Sequence, residues 1–203
     1  IQTNTYGANR LKLARYGLED RVVELNEAAV RLAKEAAAGK GVFVLGTIGG
    51  IRGLRGENIE LNDIVEAVTE QARTLISGGV DGILLETYYD FEEIKAVVQV
   101  VRQLADLPII AQVSMQEPGV LQGGISFKHA LSELEGLGAD IVGANCNLGP
   151  FHTIQAFEKV DLLDRAYLSA YPNASLLDLD NGRIVFESEV DYFARAAEEL
   201  VKQ

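Results

Sequence analysis

Apolar, β-branched runs alternate with long amphipathic runs along the whole chain, an order that marks repeated parallel βα units. Six such units can be counted. The predicted strands are Ile1 to Tyr6, Val42 to Thr47, Gly82 to Thr87, Pro108 to Met115, Asp140 to Asn147 and Ala166 to Tyr171. The predicted helices follow them, at Glu19 to Ala38, Asn62 to Ser77, Phe91 to Ala105, Phe127 to Leu137, Phe151 to Leu162 and Ser188 to Lys202. In the third helix Ile94, Val97, Val98 and Val101 fall at i, i+3, i+4 and i+7, a stripe that predicts one face packed on a sheet.

The strand candidates barely alternate. Val-Phe-Val-Leu, Gly-Ile-Leu-Leu and Pro-Ile-Ile-Ala read as strands buried on both faces, which requires a parallel sheet covered by helices. Such a sheet either stays open and doubly wound or closes into a barrel. Polar and small residues decide between them, because they recur at the C-terminal strand ends: Asn4 and Thr5, Thr47, Glu86 and Thr87, Gln112 and Ser114, Asn145 and Cys146, Ser169 and Asn173. In a barrel these ends converge on one mouth, where barrel enzymes place their chemistry. The expected fold is therefore an α/β barrel of the (β/α)8 type, incomplete here with six of its units visible, one domain over residues 1–203. Two longer segments, Gly46 to Gly56 and Tyr171 to Arg183, follow strands on that face and read as loops.

Composition narrows the function. The 203 residues carry a formal charge of -12 and a pI near 4.6, a field that repels nucleic acid and anionic membranes as principal partners. A single cysteine excludes an internal disulfide and fits a reducing compartment. No apolar run reaches the roughly 20 residues that span a bilayer, and no signal peptide opens the chain, so a cytoplasmic protein is expected. The chain opens without Met and ends on a helix-like stretch with no capping turn, so further segments are expected at both ends.

Few residues are placed to do chemistry. Cys146 stands in Gly-Ala-Asn-Cys-Asn-Leu-Gly-Pro at the end of the fifth predicted strand. A lone cysteine is commonly a buried small hydrophobe, but flanking asparagines and a strand-end position put this thiol at the barrel mouth. One cysteine cannot hold zinc, which takes three protein ligands in catalytic sites and four in structural ones. Glu86 ends an apolar strand, where a carboxylate needs a cation or hydrogen bonds, so it pairs with a neighbouring Arg or recognises a substrate ammonium group. Asn4, Thr5 and Asn9 follow the first strand, where they cap a helix or hold a small carboxylate. His129 and His152 have no partner at metal-ligand spacing and read as structural. The glycines of Gly46 to Gly56 match no phosphate-binding fingerprint. The strands offer neither a lysine for a Schiff base nor paired acids for magnesium or glycoside hydrolysis.

Taken together, Thr3-Asn4-Thr5-Tyr6-Gly7-Ala8-Asn9, Gly46-Thr47-Ile48-Gly49, Leu84-Leu85-Glu86-Thr87, Gly143-Ala144-Asn145-Cys146 and Tyr171-Pro172-Asn173-Ala174 occur in the order seen in the homocysteine S-methyltransferase family. Each motif is weak alone; five in register over the whole chain resemble that family strongly. The likeness extends to its bacterial two-part members, which join this domain to a methylenetetrahydrofolate reductase.

The resemblance implies a zinc-dependent barrel that methylates the thiol of homocysteine to make methionine. It makes Cys146 similar to the first of three zinc-binding cysteines, the other two being a Cys-Cys pair in a turn after the eighth strand, outside this sequence. Glu86 resembles the residue that meets the homocysteine amino group, and Asn145 the asparagine beside the zinc. The implied partners are homocysteine, a methyl donor and a fused or associated folate reductase domain. Methyltetrahydrofolate, methylcobalamin and S-methylmethionine all stay open as donors. With one ligand of three, the chain alone is expected to hold no stable catalytic zinc and to be inactive. The resemblance also implies that strands 2 to 7 are visible and strands 1 and 8 missing, which is expected to leave unpaired edges at Ile1 and Ala166 and make the chain marginal or prone to associate. The competing reading is a pterin- or corrinoid-binding barrel that serves another catalytic domain.

Overall fold

The computed structural model describes residues 1–53, 58–161, 163–174, 178–180, 183–185 and 190–202. Five strands, β1 (Leu45–Gly49), β2 (Gly82–Tyr88), β3 (Ile109–Val113), β4 (Ile141–Asn145) and β5 (Tyr167–Tyr171), form one sheet in the order β1-β2-β3-β4-β5. Every pairing is parallel. A doubly wound sheet reverses its strand order at a switch point, whereas here each strand lies beside the next in sequence, as in a barrel wall. The sheet is therefore an incomplete (β/α)8 barrel, with helices on its outer side.

The helices are α1 (Arg10–Leu13), α2 (Val22–Ala37), α3 (Leu61–Ser77), α4 (Phe91–Leu104), α5 (Phe127–Gly136), α6 (Pro150–Phe157) and α7 (Val190–Lys202). Ile94, Val97, Val98 and Val101 of α4 are completely buried, so the predicted stripe is the face that meets the sheet. Alternate strand positions supply the other half of that core: Ile48, Ile83, Leu85, Ile109, Ala111, Val113, Val142 and Ala144. By the two-residue period of a strand, Thr47, Glu86, Gln112, Ser114 and Asn145 then face the barrel interior.

Three predicted elements change. The strand expected over Ile1 to Tyr6 shrinks to one parallel bridge from Gln2 to Leu45. Beyond it, side chains stand in for the ladder at Thr47, whose N–H donates to Thr3 Oγ1 at 3.0 Å and whose carbonyl accepts from Thr5 Oγ1 at 2.7 Å, before the Gly49 N–H donates to the Tyr6 carbonyl at 3.1 Å. The strand expected at Val42 to Thr47 moves towards the mouth. Val42 and Phe43 are exposed, and the Val44 N–H is taken by Asp81 Oδ2 at 2.7 Å, so pairing with β2 begins only at Leu45.

The expected loop from Tyr171 to Arg183 contains an antiparallel pair, β6 (Asp178–Asp180) with β7 (Arg183–Val185). Asn181-Gly182 between them is a strong hairpin signal in the sequence. The rest of that segment lies partly outside the described residues, as do Leu54 to Gly56 of the other predicted loop.

Among the described residues no strand pairs with the outer edge of β5, whereas the Ile1–Tyr6 segment runs along β1. On β5, Tyr167, Leu168 and Tyr171 are exposed, and so is Ile1 beside β1. A groove of about 520 Å³ runs along the β5 side, lined by Pro150, Phe157, Leu168, Phe193, Ala196 and Leu200 among others. Among the described residues no helix is long and apolar enough to cross a membrane.

Candidate active site at the barrel mouth

Strands β2 and β4 are separated by β3, yet their C-terminal ends meet. The Thr87 N–H donates to Asn145 Oδ1 at 2.8 Å, and Asn145 Nδ2 donates back to Thr87 Oγ1 at 2.8 Å. A backbone N–H can only donate, so it fixes which end of the amide is oxygen. Asn145 Nδ2 then also reaches Cys146 Sγ at 3.3 Å, and Thr87 Oγ1 donates to the same sulfur at 3.6 Å. Cys146 is exposed, with its N–H donated to the Tyr171 carbonyl at 3.0 Å. The thiol thus sits at the mouth beside the Glu86-Thr87 strand end, not among the helices.

Glu86 is half-buried, and desolvation holds its carboxyl above the usual carboxylate range. Among the described residues no cation forms an ion pair with it, and desolvation alone accounts for its shift. Tyr6 lies on the same side. Burial, then the charges of Tyr89, Glu86 and Cys146, push its phenol up to about 12, against a hydrogen bond with Thr87 that acts the other way. Its ring occupies the space a side chain at Gly49 would need, since a Cβ there would meet the ring at 2.2 Å. The Lys12 ammonium covers the Tyr6 ring at 4.2 Å from its centroid.

The turn residues divide. Asn4 is exposed. Thr5 is buried, its hydroxyl committed to Thr47 and to Thr3 Oγ1 at 2.7 Å and its carbonyl to Gln71 Nε2 at 2.7 Å. Asn9 caps α1 through the Lys12 N–H. His129 lies near Glu133 at 3.7 Å, and His152 packs edge-on against Phe151.

Three residues that build this mouth have roles that the sequence does not mark. Tyr6 reads as a strand residue, and nothing in the sequence marks Thr87 for a left-handed backbone. Glu93, three positions after the α4 cap Asp90, has the spacing of a local helix cap. It is instead fully buried, and its carboxylate accepts the N–H groups of Ile51 and Arg52, at 2.5 and 2.9 Å. Arg52 in turn pairs with Asp90 at 3.2 Å, so the segment after β1 is tied to α4.

A sequence model of the homocysteine S-methyltransferases matches residues 1–203. The chain belongs to that family. Among the family's curated relatives, the methionine synthase of Mycobacterium tuberculosis is 31% identical over 187 residues, covering 87% of this chain and 16% of the relative. The methionine synthase of Mycobacterium leprae is 28% identical over the same length, again 16% of its own. The chain thus spans about one sixth of these relatives. Of solved structures, the oxidized form of the homocysteine methyltransferase MmuM from Escherichia coli superposes with a TM-score of 0.74 at 19% identity, over 99% of this chain and 69% of that one. Its metallated form gives 0.68 at 20%, over 77% and 60%. These likenesses establish the fold of the homocysteine S-methyltransferase barrel.

The donor set can be compared with the zinc the family implies. Among the described residues no three His, Cys, Asp or Glu side chains gather as a metal cluster. Cys146 offers one soft, accessible sulfur with two hydrogen-bond donors turned to it, as a metal-bound thiolate requires. It fits as one ligand and supplies no more than one.

Proposed function

We propose that this chain is the homocysteine-binding part of a methyltransferase that moves a methyl group onto the homocysteine sulfur to give methionine. The observation that carries this reading is the junction of β2 and β4, where an accessible Cys146 and a Glu86 carboxylate with no ion pair among the described residues share one mouth. Glu86 binds the amino acid's ammonium group, an ion pair that discharges the cost of burying the carboxylate. The exposed Asn4 and the turn around Thr5 face the amino acid's carboxylate, the Thr5 hydroxyl being already committed. Asn145 holds the Cys146 sulfur in place.

Cys146 would be one zinc ligand, with two further cysteine ligands to come from elsewhere in the complete protein. Zinc, when bound, keeps the substrate thiol deprotonated and nucleophilic near neutral pH. The thiol loses its proton, a sulfur lone pair takes the methyl carbon, and the donor departs with the electrons of the broken bond. A fused or associated reductase is the partner proposed to supply a folate-borne methyl group.

Steady-state methionine formation by the complete protein tests this reading. Cys146→Ala is expected to lower kcat/KM for homocysteine at least about 1,000-fold, equivalent to about 4 kcal/mol. Glu86→Gln is expected to act chiefly through the homocysteine KM. Full turnover by Cys146→Ala would exclude the assignment.

A further inference from the structure

We propose that Thr87 is a positioning residue that aims the Cys146 sulfur, and that its strained backbone is kept for that purpose. The inference rests on the methyltransferase reading and assigns a role to a residue which that reading does not use. Thr87 has φ 59°, facing Cys146 at 58° and Asn147 at 61° across the mouth. Asparagine tolerates this left-handed region; for a β-branched residue it is a true outlier, where glycine would fit without strain. A strained residue persists where its surroundings hold it, and such residues cluster at functional sites.

The side chain shows what the strain secures. With the backbone turned this way, the N–H and hydroxyl of Thr87 grip Asn145 as a pair at 2.8 Å each. That grip sets the amide so that its N–H faces Cys146 Sγ, and the Thr87 hydroxyl proton is directed at the same sulfur. Glycine would relax the backbone and lose the hydroxyl, freeing Asn145 to rotate. Serine would keep the hydroxyl. Hydrogen bonds to a metal-bound thiolate orient it and tune its basicity, and losing such partners typically costs about 10–100-fold in metal affinity.

The test compares Thr87→Gly, Thr87→Ser and Cys146→Ala in the complete protein. Zinc affinity is read by chelator competition, and thermal unfolding is followed in parallel. Alkylation of Cys146 in the metal-stripped protein is read on the Cys146 peptide by mass spectrometry. Thr87→Gly is expected to unfold no earlier than wild type, yet to bind zinc about 10–100-fold more weakly and to be alkylated more slowly. Thr87→Ser is expected to match wild type in both sulfur readouts. A purely structural residue would move zinc affinity and unfolding together, and that pattern overturns the inference. So does a Thr87→Gly protein with wild-type zinc affinity and alkylation. If Cys146→Ala loses zinc while Thr87→Gly does not, this inference fails alone; if Cys146→Ala keeps its zinc, the methyltransferase reading fails with it.

Discussion

Glu86 carries its charge in a half-buried place with no cation beside it among the described residues, and the direction of its shift has a consequence for stability. Because the folded state raises its pKa, the protonated form is favoured on folding. Its stabilising contribution is present at low pH and is lost as pH rises through the folded pKa, so at neutral pH the ionised carboxylate opposes folding. Glu86→Gln is therefore expected to raise the unfolding temperature at pH 7, and the advantage should fade as pH falls below the ordinary Glu range. Thermal unfolding of both proteins from pH 4 to pH 8 checks it. A lower midpoint for Glu86→Gln at pH 7 would mean that the carboxylate has a partner in the folded protein. At this scale the sequence showed Glu86, Asn145 and Cys146 because each is a polar residue at the end of an apolar run. It showed Thr87 only as one more polar strand end and left the parts of Tyr6 and Thr87 unmarked, since these depend on a ring laid over Gly49 and on a positive φ that no local pattern predicts.

Among the elements, helices were the most legible, since burial of a stripe in α4 leaves a period of 3.6 residues in the sequence. Strand limits were less so. In a sheet covered on both sides, apolar residues run past the paired segment, and partners distant in sequence decide where pairing starts. Asp81 capping Val44 and the threonine hydroxyls of Thr3 and Thr5 are such partners. The β4–β5 pairing also sets a size limit. A Cβ at Gly143 would lie 1.8 Å from the Ser169 carbonyl oxygen, a main-chain atom that cannot yield without parting the strands. Gly143→Ala is expected to destabilise the protein by about 3 kcal/mol and to disturb Asn145 and Cys146, two and three residues on. Chemical denaturation reads the first effect and Cys146 alkylation the second; an unchanged midpoint would show that the two strands are not packed this closely.

For the whole molecule, five parallel strands in sequential order bring distant strand ends to one mouth, and that convergence brings together residues 58 and 59 positions apart. The barrel was legible because polar strand ends recur on every unit. A full metal donor set was not, because the chain holds a single cysteine and no three His, Cys, Asp or Glu side chains gather among the described residues. The account depends on Cys146 sharing a metal with sulfurs from elsewhere in the protein. Zinc content of the complete protein, measured side by side with Cys146→Ala by elemental analysis, tests this most directly. The account predicts about one zinc per wild-type chain and little in the variant; equal zinc in both would contradict it.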